Sequence, residues 1–135
     1  MAAQNRYADA VRALLQEAEV DPNQVNPQSG AFPLLLAAQN GHAGAVQALL
    51  QAEADPNQVE PQSGAFPLLL AARNGHADAV QALLQAGANP NQLNPQSGTF
   101  PLLLAAQNGY TDVFKALLQA GANPSQVNPK DSNFP

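Results

Sequence analysis

The chain has no cysteine and no tryptophan, one methionine, and only 5 % aromatic residues among its 135. Without cysteine there are no disulfides and no thiolate metal sites, and the redox compartment is left open. Charge is scarce as well. Charged residues make up 11 %, with five Lys and Arg against ten Asp and Glu, for a net charge of −5. A chain with no basic run offers no electrostatic footprint to a phosphate backbone, so neither nucleic acid nor an anionic membrane is expected as a partner. No apolar run exceeds about five residues, far below the roughly 20 that a membrane span needs. The start, M-A-A-Q-N-R-Y, lacks the apolar stretch of a signal peptide. The expectation is a soluble, cytoplasmic protein.

What is present is periodic. Hydrophobic residues reach 45 %, mostly Ala, Leu and Val, which suits thin layers of closely packed helices. The stretch F-P-L-L-L-A-A occurs at Phe32–Ala38, Phe66–Ala72 and Phe100–Ala106, a fixed period of 34 residues. A period of this size, each unit with its own apolar run, marks a stacked repeat array in which neighbours bury one another. Full units run over 21–54, 55–88 and 89–122; residues 1–20 read as a partial unit and 123–135 as the start of a further one. The whole chain, 1–135, is expected to be a single array.

Within a unit, Pro33 suits the first position of a helix, where its missing N–H is no loss. Leu34–Asn40 gives two turns, and Gly41 is placed to end them in the left-handed conformation. A second helix is predicted over Ala43–Gln51, with Val46, Leu49 and Leu50 on one stripe. The first helix is apolar nearly all round and must be covered on several sides. Between helix pairs lies D-P-N-Q-V-N-P-Q-S-G-A, crowded with turn residues. Asn26-Pro27-Gln28-Ser29 predicts a type I turn. Gly30 is free to take positive φ after it. Proline at 22 and 27 removes ladder donors, so a hairpin-like finger with little strand is expected.

These motifs resemble the ankyrin repeat, whose units combine a turn, a helix opened by T-P-L-H-x-A, a Gly-His corner and a second helix over a period near 33 residues. The matching residues are F-P-L-L-L-A-A, the N-G-H of Asn40–His42 and Asn74–His76, the A-L-L of Ala48–Leu50 and the A-G-A-N-P-N join at Ala86–Asn91. The resemblance spans essentially the whole chain and implies an all-α repeat solenoid. Three features depart from the pattern. The extra residue of each unit falls in the finger, near Val25-Asn26. Phe32, Phe66 and Phe100 stand where the family has Thr, and Leu35, Leu69 and Leu103 where it has His. In the family those two side chains hydrogen-bond each other. Losing both at once exchanges polar bracing for apolar packing, which costs far less than orphaning one partner.

Catalysis and metal binding find little support in the residues. The two histidines, His42 and His76, are one repeat apart. Stacked helices lie roughly 8–10 Å from each other, too far for both rings to hold one ion unaided. Tyr110 takes the equivalent place in the third unit, which points to a corner ring that packs and hydrogen-bonds a nearby loop. Ser29, Ser63 and Ser97 read as turn residues with no base and orienting group converging on them. Asp21 and Asp55 are replaced by Asn89 and Asn123, so backbone capping is expected there. No enzyme activity, cofactor or metal is expected.

A binding surface remains. The resemblance maps the concave face of such an array to finger tips and the exposed side of the first helices. The partner-binding candidates are Val25, Asn26, Gln28 and Gln39; Val59, Glu60, Gln62 and Arg73; and Leu93, Asn94, Gln96, Thr99 and Gln107. Glu60 and Arg73 are the distinctive ones, since almost everything around them is uncharged. The reading is a non-catalytic protein-interaction module, a rigid groove within a longer repeat protein, with an unidentified protein as partner. A structural alternative is head-to-tail self-association through uncapped ends, which would be heterologous and non-closing. An engineered scaffold also fits, because the first two full units differ at only four positions. Ankyrin-type arrays occur across kingdoms, including bacterial proteins delivered into host cells, so the resemblance fixes no source.

Overall fold

The structure, a computed structural model, describes residues 8–12 and 21–125. The expected partial unit over 1–20, apart from the helical residues 8–12, and the expected start of another unit beyond 125 lie outside the described residues. Six helices follow in order: α1 Pro33–Gln39, α2 Ala43–Gln51, α3 Pro67–Arg73, α4 Ala77–Gln85, α5 Pro101–Asn108 and α6 Thr111–Gln119. No strand occurs among the described residues.

Each first helix begins at its proline. The residue before proline is driven to extended backbone, and Phe32 duly sits at φ −137°, ψ 161°. Phe66 and Phe100 repeat that geometry. None of the three makes a side-chain cap hydrogen bond. Their rings are buried instead, at 2 % exposure or less. The expected exchange of polar bracing for apolar packing is what the residues do.

Each helix of a pair ends on the same device. In α1 the His42 N–H reaches the Ala37 carbonyl at 3.0 Å and the Gly41 N–H reaches Ala38 at 3.2 Å. In α2 the Ala54 N–H reaches Leu49 at 2.9 Å and the Glu53 N–H reaches Leu50 at 3.0 Å. These crossed bonds define a Schellman end, which needs one left-handed residue. Gly41 supplies it at φ 73°. After α2 the same role falls to Glu53 at φ 71°, where the later units have Gly87 and Gly121.

First helices stack on first helices (α1, α3, α5) and second on second (α2, α4, α6), with each pair packed internally. One continuous core follows, of Phe32, Leu34, Leu35, Ala37, Val46 and Leu49 and their counterparts in the next units. The middle unit is the most enclosed: α3 buries Pro67 through Ala72, every residue but the terminal Arg73. No helix among the described residues is long and apolar enough to cross a membrane.

A ladder of short polar side chains joins the units on the loop side. Asp21 Oδ1 accepts the Asn23 N–H at 2.9 Å, and Asn23 Oδ1 accepts the Asp55 N–H of the next unit at 2.7 Å. The pattern recurs through Asp55, Asn57 and Asn89, then through Asn89, Asn91 and Asn123. Residues 21, 55, 89 and 123 therefore cap backbone, as their Asp/Asn exchange implied.

Candidate interaction groove

The fingers are shaped by one position, 26/60/94. The Asn26 N–H bonds the Ala31 carbonyl at 2.7 Å, and the Gly30 N–H returns to the Asn26 carbonyl at 2.8 Å. The closing bond reaches Gly30, one residue beyond the predicted type I turn. The reason is local. Asn26 Oδ1 has already taken the N–H groups of Gln28, at 2.8 Å, and Ser29, at 3.2 Å. Asn94 does the same for Gln96 and Ser97. At the middle finger Glu60 takes over: Oε1 accepts the Gln62 N–H at 2.9 Å and Oε2 accepts the Ser63 N–H at 2.7 Å and the Ser63 hydroxyl. The Ser63 hydroxyl and the Gln62 N–H hold the Glu60 carboxyl below its usual range; burial pushes the other way and is outweighed.

This corrects the surface expected from sequence. Glu60 is 5 % exposed and Asn94 is 7 % exposed. Their polar ends face the fingers' own backbone, so both shape the rim and neither stands free on it. Val25, Val59 and Leu93 are also not bare tips, since they pack half-buried against the core. Asn26, Gln28, Gln62 and Gln96 are exposed. Gln96 Nε2 is drawn back onto the preceding finger, donating to the Pro61 and Gln62 carbonyls at 3.3 and 3.0 Å.

Glycine at 30 and 64 is required twice over. Both take φ +77°, and a Cβ there would collide with the capping side chain of the next finger, Glu60 over Gly30 and Asn94 over Gly64. The corners repeat this logic. A Cβ on Gly41 would strike the His76 ring, and one on Gly75 would strike Tyr110. His76 Nε2 lies 3.1 Å from the Gln39 carbonyl, which also accepts from Asn74 Nδ2 at 3.0 Å. His76 is thus both a spacer and a tie between units, and Tyr110 a spacer.

Between finger tips and first helices runs a groove of about 480 Å³. It is lined at equivalent positions of successive units: Ser29, Ser63 and Ser97; Ala31, Ala65 and Thr99; Leu36, Leu70 and Leu104; then Gln39 and Arg73. Glu60 and Arg73 are the charged residues of its lining. Glu60 is spent on its finger, whereas Arg73 is exposed and makes no ion pair among the described residues. Thr99 lines the groove with its hydroxyl 2.7 Å from that of Ser97. Gln107 falls outside it, beside an apolar hollow formed with Phe100, Leu102, Leu103, Ala106, Phe114 and Pro124. The serines, turn residues within the finger stretch that the resemblance assigns to this face, line the groove, and so does Leu36, 44 % exposed, which sequence reasoning does not single out. The signal was available: Leu36 lies three residues before Gln39, on the same helix face.

Helix pairs joined by polar fingers, stacked so that fingers and first helices enclose one groove, make this a repeat solenoid with an open face. The chain belongs to the ankyrin repeat family. The family description that matches is "Ankyrin repeats (3 copies)", over residues 1–94 and again over 44–131. Members of that family are generally protein–protein interaction modules and typically non-catalytic. Comparison with curated proteins returned no match.

Proposed function

We propose that the groove between fingers and first helices binds a segment of a protein partner. The observation that supports this reading is Arg73: an exposed cation, without an ion pair among the described residues, set in a lining otherwise made of Ser, Ala, Thr, Leu and Gln and the committed Glu60 and Asn94. The first and third units carry Gln at that place, in Gln39 and Gln107. The array itself therefore does not require Arg there, and the charge is available for recognition. Rim closure by backbone-capping side chains keeps the groove pre-formed, which lowers the ordering cost of association.

The test pairs one substitution that the array already carries elsewhere with one at an exposed apolar position. Arg73→Gln installs the residue of the other two units, and Leu36→Gln alters exposed apolar surface. Gln47→Ala and Gln81→Ala, on the second helices, serve as controls. Capture from lysate should lose a partner with the first pair and keep it with the second. A partner kept by the groove variants and lost by the controls would put the binding face on the second helices.

A second reading, self-association, has one observation in its favour: the apolar hollow of about 480 Å³ lined by Phe100, Leu102, Leu103 and Phe114. Seated by another copy, it would give a molar mass that rises with concentration in light scattering. A constant monomer mass removes it.

A further inference from the structure

The sequence holds Asn–Gly at three places, 40–41, 74–75 and 108–109, each at the end of a first helix. Asn–Gly is the dipeptide most open to self-modification, because glycine has no side chain to shield its amide nitrogen. That nitrogen attacks the Asn side-chain carbonyl carbon after losing its proton to solvent hydroxide. A C–N bond forms, ammonia leaves, and a five-membered succinimide results. Water then opens the ring at either carbonyl, giving Asp or isoAsp. The balance is one water consumed and one ammonia released, with no oxidant or reductant.

Three restraints oppose this chemistry in the fold, and they are not equal across the units. The first is common to all: the glycine N–H is bonded to a helix carbonyl, Gly41 to Ala38, Gly75 to Ala72 and Gly109 to Ala106, at 3.2, 3.3 and 3.3 Å. The second is the hold on the amide. Asn40 Nδ2 donates to Leu36 at 2.9 Å and Asn74 Nδ2 to Gln39 at 3.0 Å, but Asn108 Nδ2 reaches Arg73 at only 3.4 Å. The third is cover. The His76 ring lies over Gly41 and the Tyr110 ring over Gly75, whereas among the described residues nothing lies within 4 Å of a Cβ built on Gly109.

We infer that Asn108 is a built-in modification site, the place where the folded array converts Asn to Asp or isoAsp first. The change reaches beyond its own turn. A carboxylate at 108 has no hydrogen to give the Arg73 carbonyl, so the tie from α5 to the unit before it is lost. An isoAsp also adds a methylene to the backbone where α5 must close onto Gly109.

Ageing the full chain at mildly alkaline pH, folded and in denaturant, with peptide mapping by mass spectrometry, tests this. In denaturant the three sites share near-identical neighbours and should convert at similar rates. In the folded chain Asn108 should convert first, with Asn40 and Asn74 lagging. Equal rates in the folded chain, or Asn40 or Asn74 leading, would overturn the assignment. Tyr110→Ala uncovers Gly75 and His76→Ala uncovers Gly41. Whichever variant keeps its helical spectrum should speed conversion at the uncovered site alone. No acceleration there would remove ring cover from the argument.

Discussion

Position 60 carries a carboxylate where positions 26 and 94 carry an amide, and the difference has a sign that can be measured. With its native pKa held below the ordinary value of 4.5, Glu60 binds a proton more readily unfolded than folded. Its stabilisation is therefore complete above that ordinary value and is lost as pH falls through the lowered native one. Glu60→Asn should keep the fold and remove this component. The difference between wild-type and variant melting temperatures should change across that acidic window and be flat at neutral pH. Glu53 is the other residue out of pattern, a side chain at φ 71° where its counterparts are glycine. Glu53→Gly should raise stability, and Gly87→Ala should lower it, each by about 1 kcal/mol in denaturant titration. Asn94→Ala strips two backbone N–H groups of their acceptor and the Ser63 carbonyl of a donor. It should cost about 1–3 kcal/mol by the same measurement.

At the level of the element, the helix pair was legible in the residues themselves. Pro33 and Gly41 bracket α1 because one fixes the first turn and the other permits the left-handed stop, and both effects are local. The same holds for α2 over Ala43–Gln51. The finger was legible as a turn but not in its closing bond, because side-chain competition for the N–H groups of Gln28 and Ser29 decides that. Glu60 was misplaced for a related reason. Charge in an uncharged neighbourhood suggests an exposed ligand, yet a backbone with free N–H groups two and three residues on can absorb it. The clue lay in its alternation with Asn26 and Asn94, both residues suited to such turns. At the start of the first helix, Phe66→Thr alone should cost about 3 kcal/mol or more, since a buried ring is deleted. Adding Leu69→His gives the new hydroxyl a partner. The double variant should then be destabilised by less than the sum of the singles in a double-mutant cycle.

Across the whole molecule the ties between units are unevenly placed. The second and third fingers are joined by Asn94 to Ser63 and by Gln96 to Pro61 and Gln62. Glu60, lacking a donor, cannot give the first finger the bond that Asn94 gives the second. The first and second units are held instead at the corner, through His76 and Asn74 on the Gln39 carbonyl. Hydrogen exchange should therefore be faster at the Asn26 and Gly30 amides than at Glu60 and Gly64, and Glu60→Asn should narrow the gap. The loop-side ladder is even by comparison, because each rung draws its acceptor from one unit and its donor from the next. Excising residues 55–88 would bring Asn23 opposite Asn89, Gly30 under Asn94 and Gly41 under Tyr110, and each residue would meet a chemistry already present elsewhere in the chain. A shortened protein of that design should still melt cooperatively, at a lower temperature, when followed by circular dichroism. A cut that is not a whole number of units would leave an amide hydrogen facing nothing. The spacing of the rungs thus makes the protein indifferent to how many units it has and intolerant of any fraction of one.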